Sequence, residues 1–279
     1  MTIVVTGATG NVGRPLVAQL AKTGVEVRAV ARHPERAAFP AGVAVMNSTV
    51  LALPGASAVF LDPRALGDEL PVVTEMAWWT GVPRLVTLSA LNANEHSSEA
   101  EQLTMGSGME WVSLRATNCA TDFACMWSAQ IRAGDVVVGP RAGACSAPIA
   151  ERDIAAVAGR AMLTDQFVDQ RIPLTGPQVH THEELVEIIG SVLDRRLRYQ
   201  EVPLHGIREH FSDIGLSAQC ADSYTELLAA TVDQPPAVTS DVENVLGRPA
   251  QSFAEWAANH RSLFTEYQEL NVGLVPATT

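Results

Sequence analysis

Met1-Thr2-Ile3-Val4-Val5-Thr6-Gly7-Ala8-Thr9-Gly10-Asn11-Val12-Gly13 opens the chain. Residues 3–6 are short, β-rich and run straight into a turn, as a first core strand does. No basic stretch precedes them, so they do not read as a signal peptide. The turn has the spacing G-x-x-G-x-x-G, and a helical stretch follows it. Gly7 permits a tight turn at the strand's end, Gly10 lets backbone approach a pyrophosphate, and Gly13 lets the helix pack against the sheet. The helix N-terminus offers free N–H groups and a partial positive charge to phosphates. Three glycines cost backbone entropy that a bare βα turn need not spend, so a dinucleotide site is expected here.

The next strand, residues 25–30, leads into Ala31-Arg32-His33. Binders of NAD place Asp or Glu at this strand end to hold ribose hydroxyls. Arg32 stands there instead, and a guanidinium suits a 2′-phosphate. Glu26 lies at the wrong end of the strand. NADP(H) is therefore the expected cofactor.

Further strands are expected at 43–46, 57–61, 85–88 and 111–114, and helices at 12–21, 66–80 and 98–106. Short apolar runs alternating with helices imply an α/β fold, a Rossmann-type doubly wound parallel sheet. After residue 115 helices dominate, at 122–132, 151–163, 182–193, 203–211, 218–230 and 253–259, with strands at 136–138 and 197–202. Thr181-His182-Glu183-Glu184 is a capping box. The expected division is a dinucleotide-binding domain over 1–118, with parts of 134–160, and a smaller, mostly helical C-terminal lobe over 119–279, interleaved with the first.

Apolar residues make up 47% of the 279 and charged residues 18%, a globular composition. A chain this long buries roughly three quarters of its unfolded surface and needs no disulfide or metal staple. Nineteen basic against 31 acidic residues give a net charge of −12. That charge repels nucleic-acid phosphates and anionic lipid, so neither is an expected direct partner. No apolar run approaches the roughly 18 residues of a membrane helix, and a cytoplasmic location is expected. Cys119, Cys125, Cys145 and Cys220 form no C-x-x-C pair and are expected as free, mostly buried thiols. His180, His182, His205 and His210 lack metal-ligand spacing, so no metal is expected. Ser89 lacks a G-x-S-x-G elbow and is no nucleophile candidate.

Thr6-Gly7-Ala8-Thr9-Gly10-Asn11-Val12-Gly13, Ala29-Val30-Ala31-Arg32, Gly81-Val82-Pro83-Arg84-Leu85-Val86-Thr87-Leu88-Ser89 and Ser107-Gly108-Met109-Glu110-Trp111 resemble the NmrA-like group of atypical short-chain dehydrogenases/reductases. So do Pro148-Ile149-Ala150-Glu151-Arg152-Asp153, Val242-Glu243-Asn244-Val245-Leu246-Gly247-Arg248-Pro249 and Phe253-Ala254-Glu255-Trp256, so the likeness spans nearly the whole chain. The resemblance implies a Rossmann domain and a small helical lobe, with substrate or effector between them. It implies NADPH-dependent reduction of quinones, flavonoid precursors and related small molecules. Some members instead bind the dinucleotide as redox-sensing regulators, so membership alone does not decide catalysis. The expected cofactor-binding residues are Gly7, Thr9, Gly10, Asn11, Val12, Gly13, Arg32, Asn47, Leu61 and Ser89.

Two departures bear on mechanism. Classical members carry a Tyr and, four residues on, a Lys. Their counterparts here fall near Ala93 and Ser97, and residues 91–105 contain neither Tyr nor Lys. His96 is the nearest group able to act as acid or base near neutral pH. Asn118, just after the sixth strand, is the second catalytic candidate, as an orienting group for a substrate carbonyl. The other departure is the crossover after Met46. About ten residues reach roughly 33 Å, yet fall short of the dozen that a helical parallel crossover takes. A nearly helix-free strap is expected, with Asn47 standing in for the usual carboxylate on the adenine side.

Trp78 and Trp79 are expected to divide, one to the core and one to the surface. Met105, Met109, Trp111, Cys119, Phe123, Met126 and Trp127 fit either an apolar cleft or plain core. The leading function is an NADP(H)-dependent reductase of a small aromatic, quinone or conjugated carbonyl compound. A redox-sensing binding protein and a non-redox cyclase or isomerase are the alternatives, and a homodimer is the assembly considered.

Overall fold

A computed structural model describes residues 1–91, 95–203, 206–209 and 218–266, with the side chains of 95–98, 218–221, 223, 224 and 227 excepted. The chain divides into two units. The first comprises Met1–Thr117, Glu151–Leu174 and Ser240–Pro249; the second comprises Asn118–Ala150, Thr175–Thr239 and Ala250–Thr279.

The first unit is built on β1 (Thr2–Val5), β2 (Glu26–Val30), β3 (Ala44–Met46), β4 (Ala58–Leu61), β5 (Arg84–Ala90) and β6 (Glu110–Ala116). They lie in the order β3-β2-β1-β4-β5-β6, and the edge strand Gln170–Leu174 follows β6. Every neighbouring pair is parallel. This is the Rossmann order, and it reverses direction between β1 and β4. The strands read as apolar runs because both faces are covered. Helix α1 (Gly13–Leu20) packs with the helix Glu151–Leu163. A separate apolar cluster joins Val4, Val59 and Leu61 of the sheet to Leu53, Leu66, Leu70, Val73 and Ala77.

The edge strand Gln170–Leu174 is not announced by the sequence, nor are the short helices Asp241–Leu246 and Ser262–Thr265. Gln170, Arg171 and Pro173 break the strand's apolar run. A proline that lacks an N–H is tolerated at a sheet edge. The run 66–80, expected as one helix, is divided. Helix α3 (Pro63–Leu66) stops at Gly67, whose φ of +50° only glycine adopts easily. Helix α4 (Leu70–Trp79) restarts with proline in its first turn. The strap after β3 holds a single turn, α2 (Thr49–Ala52), capped by the Ser48 side chain. The crossover is thus short, as its ten residues require.

Trp78 and Trp79 do not divide between core and surface. They are 53% and 67% exposed. The buried stripe of α4 is Leu70, Val73, Thr74 and Ala77, spaced i, i+3, i+4 and i+7. Position 79 falls opposite that stripe and position 78 to its side.

The second unit packs the helices Ala120–Ala133, His182–Leu193, Phe253–Asn259 and Ser262–Thr265 around Phe123, Trp127, Leu185, Ile189, Phe253, Trp256 and Phe264. Phe123 and Trp127 are core residues rather than cleft lining. Val136–Gly139 pairs in parallel with Arg198–Glu201. The capping box at Thr181 forms as expected, its hydroxyl accepting from the Glu184 N–H. His182 is buried among Phe123, Trp127 and Tyr199. Burial lowers its pKa to about 4, and its Nδ1 has no hydrogen-bond partner among the described residues. Cys119, Cys125 and Cys145 form no disulfide and are only partly exposed, and Cys119 is the N-cap of Ala120–Ala133. The Cys220 side chain, like His205 and His210, lies outside the described residues.

Candidate active site

Thr6 fastens the two strand ends at the point where the sheet order reverses. Its N–H and hydroxyl both donate to the Phe60 carbonyl, at 3.1 and 2.9 Å, and its Oγ1 accepts from the Asp62 N–H at 2.8 Å. Open α/β sheets bind ligands just outside the strand ends at such a point.

The glycine turn is built there. Gly7 takes φ +60°. The Ala8 N–H donates to Val30 O at 3.1 Å, tying the turn to the end of β2, and the Gly10 N–H donates to Gly7 O at 2.8 Å. A Cβ on Gly13 would lie 2.8 Å from Ala8 Cα and inside contact distance of Gly7 O, so only glycine packs there. Gly10 differs. A Cβ on it would meet Gly7 O at 3.1 Å and Asp62 Oδ2 at 4.0 Å, and nothing else within 4 Å. It points into open space. The N–H groups of Asn11, Val12 and Gly13, at the start of α1, have no acceptor among the described residues. An open cradle faced by unpaired helix N–H groups fits a dinucleotide pyrophosphate.

Arg32 and Asn47 follow the ends of β2 and β3, which are joined by the Ala31 N–H donating to Met46 O at 2.9 Å. Both side chains are exposed. Neither has a partner among the described residues. The other cations of β2 and the segment just after it are paired. Arg28 binds Glu26 and the carbonyls of Ala52 and Pro54, while Arg36 and His33 face Glu35.

Thr9 is partly exposed and Asn11 exposed, whereas Val12 is buried. Leu61 is fully buried in the core, so only its backbone is available to a ligand, and Ser89 is buried near the end of β5. Asp62 was missed by sequence reasoning. It follows β4 directly and caps α3, its Oδ1 accepting from the Arg64 N–H at 3.1 Å. Its Oδ2 lies 2.7 Å from where a Cβ on Gly7 would be. Burial pushes its carboxyl above the usual carboxylate range, against a smaller opposing pull from Arg64. An acidic residue right after the fourth strand was the available signal.

The catalytic candidates are less well placed. His96 lies on α5 (Glu95–Met105), but its side chain and that of Ser97 are outside the described residues, as is Ala93. Asn118 belongs to the second unit, where its Oδ1 accepts from the Ser146 hydroxyl at 3.2 Å. The chain's one lysine, Lys22, sits beyond the C-terminal end of α1, far along the chain from residues 91–105. On α5, Glu101 is buried and bound by Ser113, Arg115 and Arg171 at 2.5 to 2.9 Å. Chiefly through Arg115, its pKa is lowered to about 2. No group of three or more His, Cys, Asp and Glu residues could hold a metal ion among the described residues, and no helix there is long and apolar enough to cross a membrane.

Residues 7–161 match the family model for NAD(P)H-binding proteins. A Streptomyces griseus (4-alkanoyl-5-oxo-2,5-dihydrofuran-3-yl)methyl phosphate reductase is 31% identical over 94% of this chain and 99% of its own. An NAD(P)H azoreductase from Xenophilus azovorans is 26% identical over 94% and 99%. An Escherichia coli NADPH-dependent quinone oxidoreductase, solved with NADPH, superposes with a TM-score of 0.80 at 19% identity, over 94% of this chain and 100% of the other.

Proposed function

Because the chain belongs to the NAD(P)H-binding family, we propose that it is an NADPH-dependent reductase acting on a small aromatic, quinone or conjugated carbonyl compound. The observation that carries this reading is the open cradle at Gly10 with an unpartnered Arg32 on the neighbouring strand end. When bound, the reduced nicotinamide supplies the hydride. The chain's part is binding and orientation. The N–H groups of Asn11, Val12 and Gly13 hold the diphosphate. Arg32 gives the 2′-phosphate a charge-assisted hydrogen bond, and the Asn47 amide serves the adenine side.

Residues 91–105 offer no Tyr and no Lys, so the proton comes from His96, from Asn118 with water, or from solvent. Alcohol oxidation, which needs a base for the hydroxyl proton, is then poorly served. Acceptors whose reduced anion is already stabilised, such as quinones and conjugated carbonyls, are well served. The likeness to an azoreductase and to the fold of a quinone oxidoreductase supports this substrate class. A net charge of −12 supports a small-molecule partner over nucleic acid or membrane.

The test is loss of reduced-nicotinamide absorbance with a panel of a simple quinone, an azo dye and a conjugated enone, each with NADPH and NADH. NADPH oxidation by at least one of them, faster than with NADH, is expected. NADPH binding with no oxidation by any acceptor would replace the reductase with a redox-sensing protein. His96→Phe separates the proton sources. A drop in turnover of about a hundredfold assigns the proton to His96, and unchanged turnover assigns it to Asn118 with water or to solvent.

A further inference from the structure

A carboxyl group stands where a phosphate-binding turn would be expected to carry none. Asp62 Oδ2 lies 2.7 Å from the ideal Cβ position of Gly7 and 4.0 Å from that of Gly10, on the side into which Gly10 opens. Its Oδ1 is occupied by the Arg64 N–H, and its own N–H by Thr6. The carboxyl is therefore fixed in place by β1, β4 and α3 together. Oδ2 faces the cradle.

An ionised carboxylate here would repel the two negative charges of a diphosphate across a few ångströms, in a site partly shielded from water. A protonated carboxyl would instead donate its O–H to a phosphate or ribose oxygen. We propose that Asp62 is a ligand-contacting residue of the dinucleotide site that takes up one proton as the diphosphate seats on the glycine turn. The proposal rests on the reading that residues 7–13 hold the dinucleotide. The proton comes from solvent and returns to it on release, so no other co-reactant is needed.

The surroundings agree. Residues 6–13, facing Asp62 from β1 and the turn, include no ionisable side chain. On α3 the one charged group is Arg64, and the first residue past the turn on α1 is Arg14, both exposed. Helix α5, which packs against α3, brings Glu95, His96 and Glu99. Glu99 is exposed, and the other two side chains are outside the described residues. Burial already disfavours the charged carboxyl in the free protein. An arriving anion pushes the same way.

The experiment compares wild type with Asp62→Asn by titration calorimetry, using NADH and NADPH from pH 5 to 9 in buffers of different ionisation enthalpy. Asn keeps the α3 cap and has nothing to titrate. The variant also cancels the 2′-phosphate's own titration. Linkage limits the effect to about tenfold in affinity per pH unit for one proton. Wild-type affinity should fall with pH relative to the variant over part of this range, with uptake approaching one proton. Asp62→Asn should show no such uptake with NADH and should bind more tightly than wild type at pH 9. Parallel curves with equal proton uptake would overturn the proposal while leaving the dinucleotide site standing. No binding of either nucleotide by the wild type would overturn both.

Discussion

Two substitutions in one turn should fail in different ways. Gly10 and Gly13 belong to the same motif, yet the space around them differs. An Ala Cβ at position 10 meets only Gly7 O at 3.1 Å and Asp62 Oδ2 at 4.0 Å, so a shift of a few tenths of an ångström accommodates it. Reduced entropy of the unfolded chain returns about 0.4–1 kcal/mol, so net stability should change by less than about 1 kcal/mol. The methyl group nevertheless occupies the cradle. Losing two hydrogen bonds to a charged diphosphate, each worth about 1.5–3 kcal/mol, lowers affinity by at least about a hundredfold. Gly13→Ala drives its Cβ into backbone, 2.8 Å from Ala8 Cα and Gly7 C. Backbone cannot yield as a side chain does, so about 2 kcal/mol or more of stability should be lost. Urea unfolding and calorimetric titration of NADPH on both variants check this. A Gly10→Ala variant that binds NADPH like wild type would refute the cradle, and a Gly13→Ala variant as stable as wild type would refute the packing.

Arg32→Ala should lower NADPH affinity by about tenfold to a hundredfold, the worth of one charge-assisted hydrogen bond, and leave NADH nearly unchanged; equal losses for both would remove Arg32 from the 2′-phosphate. His182 has a folded pKa of about 4, below its usual value. It therefore has no effect on stability above pH 6.5 and destabilises progressively as pH falls toward 4, by on the order of 3 kcal/mol. His182→Phe should flatten chemical unfolding curves over that window, and an unaltered pH slope would show that the ring is not held neutral. Glu101 works in a lower window. Its pKa of about 2 means a contribution fully present above its unfolded value near 4.5 and lost as pH falls toward 2. Glu101→Ala strands Arg115 and Arg171, and a cost of about 2–4 kcal/mol is expected; a loss under 1 kcal/mol would show that water replaces the carboxylate.

The parallel sheet was legible because its strands are short apolar runs and its first turn carries three glycines. The place of Arg32 just past β2 was legible because the strand's apolar run ends at Val30. The limits have physical causes. Gln170–Leu174 carries no strand signal since an edge strand need not be apolar throughout, and Pro173 is tolerated at such an edge. Trp78 and Trp79 do not divide between core and surface because Leu70, Val73, Thr74 and Ala77 already fill the buried stripe of α4. Asp62 was invisible for another reason. Its Asp-Pro pair reads as a loop, and only the tertiary join between Thr6, Phe60 and Asp62 brings the carboxyl over Gly7. Leu61 ends β4, where a ligand contact is expected, but the packing of its side chain into the core limits it to a backbone role.

The central claim is that residues 7–13 and Arg32 together hold NADP(H). A crystal structure grown with NADP⁺ tests it most directly. The account predicts the diphosphate within hydrogen-bond distance of the N–H groups of Asn11, Val12 or Gly13, and the 2′-phosphate against the Arg32 guanidinium. A dinucleotide bound away from the glycine turn, or a 2′-phosphate facing solvent with Arg32 turned away, would contradict it.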